Sequence, residues 1–205
     1  MIAVRLPFLL LALAALPLAA AAQAAPCAPL TSDEERLACD AGRADAIVSR
    51  GEQLFGAAPE DWLRIVDTFS LSGASYVYSV SEEKPYLFLE ARSVPRRDAG
   101  GNAPACQLRT TLPLDVATKV KDAAAAIKAA PPALYGPREA MTVNPDGSRS
   151  IRLILDSHDI ITRLGTGEGA LTFSRLAVTQ DDISRLNNLV IGVANFSSDW
   201  ICGTD

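Results

Sequence analysis

The sequence is short of the residues on which much recognisable chemistry depends. It holds one histidine, four cysteines, two methionines and two tryptophans, and only 6% of its 205 residues are aromatic. A single histidine excludes His-rich metal sites and paired-imidazole catalysis within one chain. Basic charge is also in deficit, with 19 Lys and Arg against 24 Asp and Glu, a formal net charge of −5. That balance opposes non-specific binding to nucleic acid or anionic lipid. After residue 24 no run approaches the ~18 apolar residues of a spanning helix, so no transmembrane segment is expected in the mature chain. Several motifs are missing as well. There is no Cys-x-x-Cys, no Gly-x-Ser-x-Gly and no Lys-Thr-Gly. These absences argue against a dithiol redox centre, a nucleophile elbow and a penicillin-binding site respectively. No cofactor and no bound metal are expected.

What is present begins with an address. Arg5 forms a short basic region, Leu6 to Ala22 is apolar apart from Pro7 and Pro17, and Ala22-Gln23-Ala24 is a small-x-small cleavage pattern. Residues 1–24 therefore read as a signal peptide, and the mature protein is expected in the periplasm. Removing Arg5 takes the net charge from −5 to −6. The remaining Cys27, Cys39, Cys106 and Cys202 form an even set in an exported chain, which predicts two disulfides. Of the three connectivities, Cys27–Cys39 with Cys106–Cys202 is favoured, because the first pair closes locally around a helix start.

Residues 32–50 read as a helix. Ser32 and Glu35 make a capping box, Asp33, Glu34 and Glu35 suit the helix dipole, and Gly51 is the expected stop. The stretch from Cys27 through Arg36-Leu37-Ala38-Cys39-Asp40 resembles a leader element of proteobacterial exported proteins, in which a Cys and an acidic helix start precede Arg-Leu-x-Cys-Tyr-Asp. It is similar to the start of type VI secretion-associated periplasmic proteins and of some outer-membrane phospholipases. The usual Tyr is missing here. The resemblance implies export and a Cys27–Cys39 bond, and it carries no activity. It covers about 15 residues; residues 60–205 suggest no family.

Further along, Trp62, Ile65, Val66 and Phe69 make an i, i+3, i+4, i+7 stripe that predicts a helix over 59–70. Strands are expected at 76–80, 86–92, 106–112, 139–144, 149–155 and 170–178. Helices are expected from Asp115 to about Ala129 and over about 180–194, the latter opened by Thr179-x-x-Asp182. The sum is an α+β fold with a mostly antiparallel sheet of about six strands, about four helices and two disulfides. Its parts are the signal peptide 1–24, a disulfide-stapled helical segment 25–58 and one α+β domain over 59–205.

Candidate chemistry is sparse. His158, in Asp156-Ser157-His158-Asp159, is a general-base candidate if the fold puts it in a pocket beside a Ser, Asp or Glu; otherwise it is a solvated loop residue. Ser81-x-x-Lys84 has the acylation spacing of penicillin-binding enzymes but falls in an expected hairpin turn. Gly165-Thr166-Gly167-Glu168-Gly169 lacks dinucleotide-loop spacing, and Asn144-Pro145-Asp146-Gly147 is too short for a Ca²⁺ loop. Ser72-Gly73-Ala74-Ser75-Tyr76 resembles the inhibitory loop of periplasmic C-type lysozyme inhibitors, without that family's second Tyr-Lys-Gly motif. Tyr76 and Tyr78 share one face of a strand, and Tyr86 and Phe88 share one face of the next. These four are the candidate partner-binding patch, with Arg92, Arg96 and Arg97 as a solvated basic cluster beside it. The expected function is a non-catalytic binding or accessory protein of the cell envelope, its partner another envelope protein. The alternatives are an inhibitor or immunity protein using the 71–76 or 95–105 loop, and a hydrolase using His158.

Overall fold

A computed structural model describes residues 32–68, 74–96, 103–136, 139–143, 146–153, 158–165 and 169–203. Among these, three helices and nine strands follow the order α1 (Asp33–Phe55), β1 (Leu63–Thr68), β2 (Ala74–Glu83), β3 (Tyr86–Pro95), β4 (Cys106–Thr111), α2 (Leu114–Ala129), β5 (Glu139–Val143), β6 (Arg149–Leu153), β7 (Asp159–Leu164), β8 (Leu171–Leu176), α3 (Asp182–Phe196) and β9 (Ile201–Cys202). Seven strands form one antiparallel sheet in the order β8-β7-β1-β2-β3-β4-β9, and β5 pairs β6 in a separate hairpin. The fold is therefore α+β, with more strands and fewer helices than expected.

Alternation along the strands sends side chains to two covered faces. Leu63, Ile65, Tyr78, Val80, Leu87, Leu89, Leu108 and Phe173 face α2 and α3, which bring Val120, Ala124, Ile127, Ile183, Leu186 and Val190 against them. Each such aliphatic side chain contributes roughly 1.5–3 kcal/mol on burial. The other face carries a smaller cluster, in which Val66, Val77, Val94 and Ile161 meet Ala44 and Val48 of α1.

This two-sided burial explains the main correction. Residues 63–68 are a strand, not part of a helix over 59–70. Ile65 and Val66 are consecutive and both buried, one under each helical layer. Neighbouring apolar residues with both sides covered mimic a helical stripe. β7 is a strand beyond those expected, although its Ile160, Ile161 and Thr162 are β-branched and suit one.

Helix α1 has the expected capping box, with the Glu35 amide donating to Ser32 Oγ and the Ser32 amide donating to Glu35. It runs past Gly51 and stops at Gly56, which has φ 85°. Gly51 instead permits close approach, since a Cβ there would sit 3.3 Å from Val94 Cγ2 and 3.6 Å from Arg92 Cδ. Helix α2 starts at Pro113 rather than at a capping Asp115; Asp115 lies in the first turn and pairs with Lys119. Helix α3 is capped by Asp181, whose Oδ1 accepts the Ser184 amide at 2.9 Å, rather than by Thr179. Burial of Asp181 would raise its pKa, but hydrogen bonds from Ser184 and Arg175 outweigh that and hold it below the ordinary range.

Cys106–Cys202 is formed as expected and joins β4 to β9 across 96 residues. Cys39 is also disulfide-bonded; the Cys27 end of the favoured pair lies outside the described residues. No helix of the described residues is long and apolar enough to cross a membrane.

Candidate functional site

The antiparallel register assembles a single row of side chains across the end of the sheet. Asp67 of β1 pairs with Ile160 of β7 on one side and Tyr76 of β2 on the other. Tyr76 pairs with Ser93 of β3, Ser93 with Cys106 of β4, and Cys106 with Cys202 of β9. Directly paired residues point to the same face, so the whole row faces the C-terminal half of α3. There it floors a cleft of about 570 Å³, closed above by Asn188, Ile191 and Asn195 of α3 and by Trp200. That volume falls in the range of small-ligand sites.

The tail holds the far wall. The Trp200 indole N–H donates to the Ala194 carbonyl at 3.0 Å, at the end of α3, and Cys202 is bonded to β4 two residues later. The Trp200 ring stands edge-on to Tyr76, with centroids 6.3 Å apart and planes at 81°. Tyr76 in turn stacks on Tyr78 at 6.2 Å and 18°. Three rings thus wall a cleft whose floor carries an acid.

That acid is Asp67. It is 4% exposed, and burial pushes its pKa from the ordinary 3.8 up to about 7. His158 Nε2 lies 3.0 Å from Asp67 Oδ1, an oxygen that accepts no hydrogen bond from the described residues. Burial also lowers the pKa of His158, which favours the neutral ring. Tyr78 is raised well above an ordinary phenol by its own burial, then by the charges of Asp67 and Tyr76, and stays neutral at physiological pH. Among the described residues lining the cleft there is no Lys or Arg. The Asp67 carboxylate therefore lacks a cationic Lys or Arg counterion among them.

His158 accordingly sits in a concave pocket, half-buried and beside a carboxylate, instead of in open solvent. Its backbone is fixed where its carbonyl accepts the Ala177 amide at 3.1 Å. Ser93 donates its hydroxyl to the Pro104 carbonyl at 3.3 Å, and both cleft cysteines are consumed in the disulfide.

The four aromatic residues expected to form one surface are divided by the sheet. Tyr76 and Tyr78 face the cleft beneath α3, whereas Tyr86 and Phe88 project to the α1 side. Tyr86 is 59% exposed at the hairpin end, and Phe88 lies 5.6 Å beneath the Arg109 guanidinium. A continuous patch cannot form, because adjacent strands paired Tyr76↔Ser93 and Ser81↔Phe88 place these rings in registers of opposite parity. Arg92 is also not part of a solvated cluster. It is buried against Glu90, at 2.5–2.7 Å, and donates to the Gly56 carbonyl at 2.9 Å. Arg97, Ser72, Gly73, Asn144 and Pro145 lie outside the described residues, as do parts of the 71–76 and 95–105 loops.

Asp67 is absent from the candidates that the sequence suggests. It carries no local motif, and a helical reading of 59–70 puts it on a polar face. Only the pairing of β1 with β2 and β7 joins it to Tyr76 and to His158. No protein-family model, curated protein or solved structure matches the chain.

Proposed function

We propose that this is an exported, non-catalytic binding protein of the cell envelope that holds a ligand group in the cleft between the sheet end and α3. One observation carries the reading: a buried carboxylate, touched by His158 but accepting no hydrogen bond from the described residues at Oδ1, lies in the floor of a ring-walled cleft of ligand size. Aromatic rings supply contact area at little entropic cost, and a few polar groups set orientation. Export rests on residues 1–24 and on the leader-like segment 27–40. The hydroxyl and sulfur atoms of the described cleft residues Ser93, Cys106 and Cys202 are already committed, which favours binding over nucleophilic chemistry. The test is a small-fragment screen on the mature, oxidised protein by amide-resolved NMR. Shifts that cluster at Tyr76, Asn188 and Trp200, and vanish in Tyr76→Ala, support the reading. Ligands from fragments or envelope extract that leave those signals unmoved overturn it.

The contact between His158 and Asp67 favours one second reading, a hydrolase in which the imidazole activates water. Hydrolysis of simple ester or amide substrates that is lost in both His158→Ala and Asp67→Asn would establish it. Turnover unchanged in His158→Ala would remove it.

A further inference from the structure

The chemistry of the cleft selects a charge type for its ligand. We propose that the cleft binds a primary alkylammonium group, the end of a lysine-like side chain, which donates an N–H to Asp67 Oδ1 while its methylenes lie against Tyr76, Tyr78 and Trp200. This inference rests on the binding reading above.

Three independent observations lead to it. Asp67 is buried with an acceptor oxygen that takes no hydrogen bond from a described group, although His158 Nε2 lies 3.0 Å from it. No described Lys or Arg lines the cleft to neutralise it. The adjacent walls are aromatic, with the Tyr76 and Trp200 rings at near right angles and Tyr78 stacked on Tyr76. A buried carboxylate attracts a donor cation most strongly, and aromatic faces add a cation–π attraction that grows on desolvation. An anionic ligand would meet the acid with no compensating Lys or Arg among the described lining residues. A neutral ligand would leave Oδ1 facing apolar surface unless it donated a hydrogen bond. A quaternary ammonium satisfies the rings but has no N–H for Oδ1, so the N–H-bearing cation is the better match.

The titratable groups that face Asp67 are His158, Tyr76 and Tyr78. The raised pKa of Tyr78 keeps it neutral, and the depressed pKa of His158 keeps its ring from supplying a competing cation near pH 7. Raising the pH through about 7 ionises Asp67, and ammonium affinity should rise with it.

The test uses backbone-blocked lysine, blocked norleucine and blocked trimethyl-lysine as probes, titrated into the mature oxidised protein by NMR and by Trp200 fluorescence in a Trp62→Phe background. Blocked lysine should bind at least about tenfold more tightly than norleucine, the size expected of a hydrogen bond to a charged group. Trimethyl-lysine should bind more weakly than lysine. Asp67→Asn should erase the preference for lysine over norleucine. Equal binding of lysine and norleucine, tighter binding of trimethyl-lysine, or a preference that survives in Asp67→Asn each overturns the proposal. In the first of these cases the cleft still binds, so the wider reading stands. If none of the three probes binds while the fragment screen still marks the cleft, the ammonium assignment alone fails. If the screen is also blank, both fail.

Discussion

Asp67 makes the stability of the protein depend on pH in a direction opposite to that of an ordinary salt-bridged carboxylate. Its pKa stands at about 7 in the fold against 3.8 for the free side chain, because burial disfavours the charged form. Each tenfold change in proton affinity between the folded and unfolded chain corresponds to about 1.4 kcal/mol. Below pH 3.8 folded and unfolded chains both keep the proton, and Asp67 makes no pH-dependent contribution. Between 3.8 and 7 the unfolded chain releases the proton and the folded one retains it, so stability falls by about 1.4 kcal/mol for each step of one in pH. Above about 7 the deficit levels off at about 4 kcal/mol. His158 acts in the opposite sense. Its folded pKa is depressed below 6.5, so it destabilises at low pH and this loss disappears as pH rises. The contribution of Asp67 is therefore isolated by comparison with Asp67→Asn, which keeps the shape and cannot ionise. Urea unfolding of the two proteins, disulfides intact, should show the variant gaining on the parent by about 3 kcal/mol between about pH 4.5 and about pH 8. A gap that stays constant within about 0.5 kcal/mol over that range refutes the argument, since it would mean that the carboxylate is solvated or paired in the fold.

Three other perturbations test the frame around the cleft. Arg92 and Glu90 form a buried pair on the α1 face, so Arg92→Ala should cost about 3–5 kcal/mol by leaving Glu90 uncompensated, while Arg92→Met with Glu90→Leu should recover most of it in the same unfolding assay. Arg175 is buried, pairs with Asp181 at 2.5 Å and donates to the carbonyls of Ala133, Leu134 and Ser174; Arg175→Ala should lose about 3 kcal/mol or more and weaken the start of α3, read as faster amide exchange at Ser184. Replacing Cys106 and Cys202 together by Ser opens a loop of 96 residues, with an expected loss of about 4–5 kcal/mol in the chain-entropy account and a change in Trp200 fluorescence as the tail leaves α3.

How far these features can be read from the sequence depends on how local their causes are. Capping is local, so the Ser32 and Glu35 box is legible, and the expected helix from Asp115 to about Ala129 matches α2 to within a residue. The hairpin of β2 and β3 is legible because two alternating segments flank the turn at Lys84-Pro85. The limits of α1 are less so: Gly51 looks like a stop, yet the helix continues through it and packs there against Val94, a residue distant in sequence that only the sheet brings close. β1 misleads for a similar reason, since periodicity reports one buried face and this strand has two. The site is legible in part. Tyr76 and Tyr78 stand out as an aromatic face and His158 as the single imidazole, but the acid beside them comes from β1 and has no motif around it. The disulfide is the exception among long-range features, because an even cysteine count and the short spacing of Cys27 and Cys39 leave Cys106 and Cys202 to each other.

The destabilisation by Asp67 and the proposed use of the cleft are two sides of one linkage. A residue that cannot ionise would remove that pH-dependent cost. With Asp67 in place, the fold carries a penalty that grows up to about pH 7. A cation that binds the ionised form recovers part of it and stabilises the fold by RT ln(1 + [L]/Kd). The shift in unfolding midpoint caused by a fixed concentration of blocked lysine should accordingly be larger at about pH 8 than at about pH 5.5, and absent at both in Asp67→Asn. A neutral ligand that used only the rings would give shifts insensitive to pH. Equal shifts at the two pH values for blocked lysine would therefore detach the acid from the ligand and leave the low stability of an ionised, buried Asp67 without a functional account.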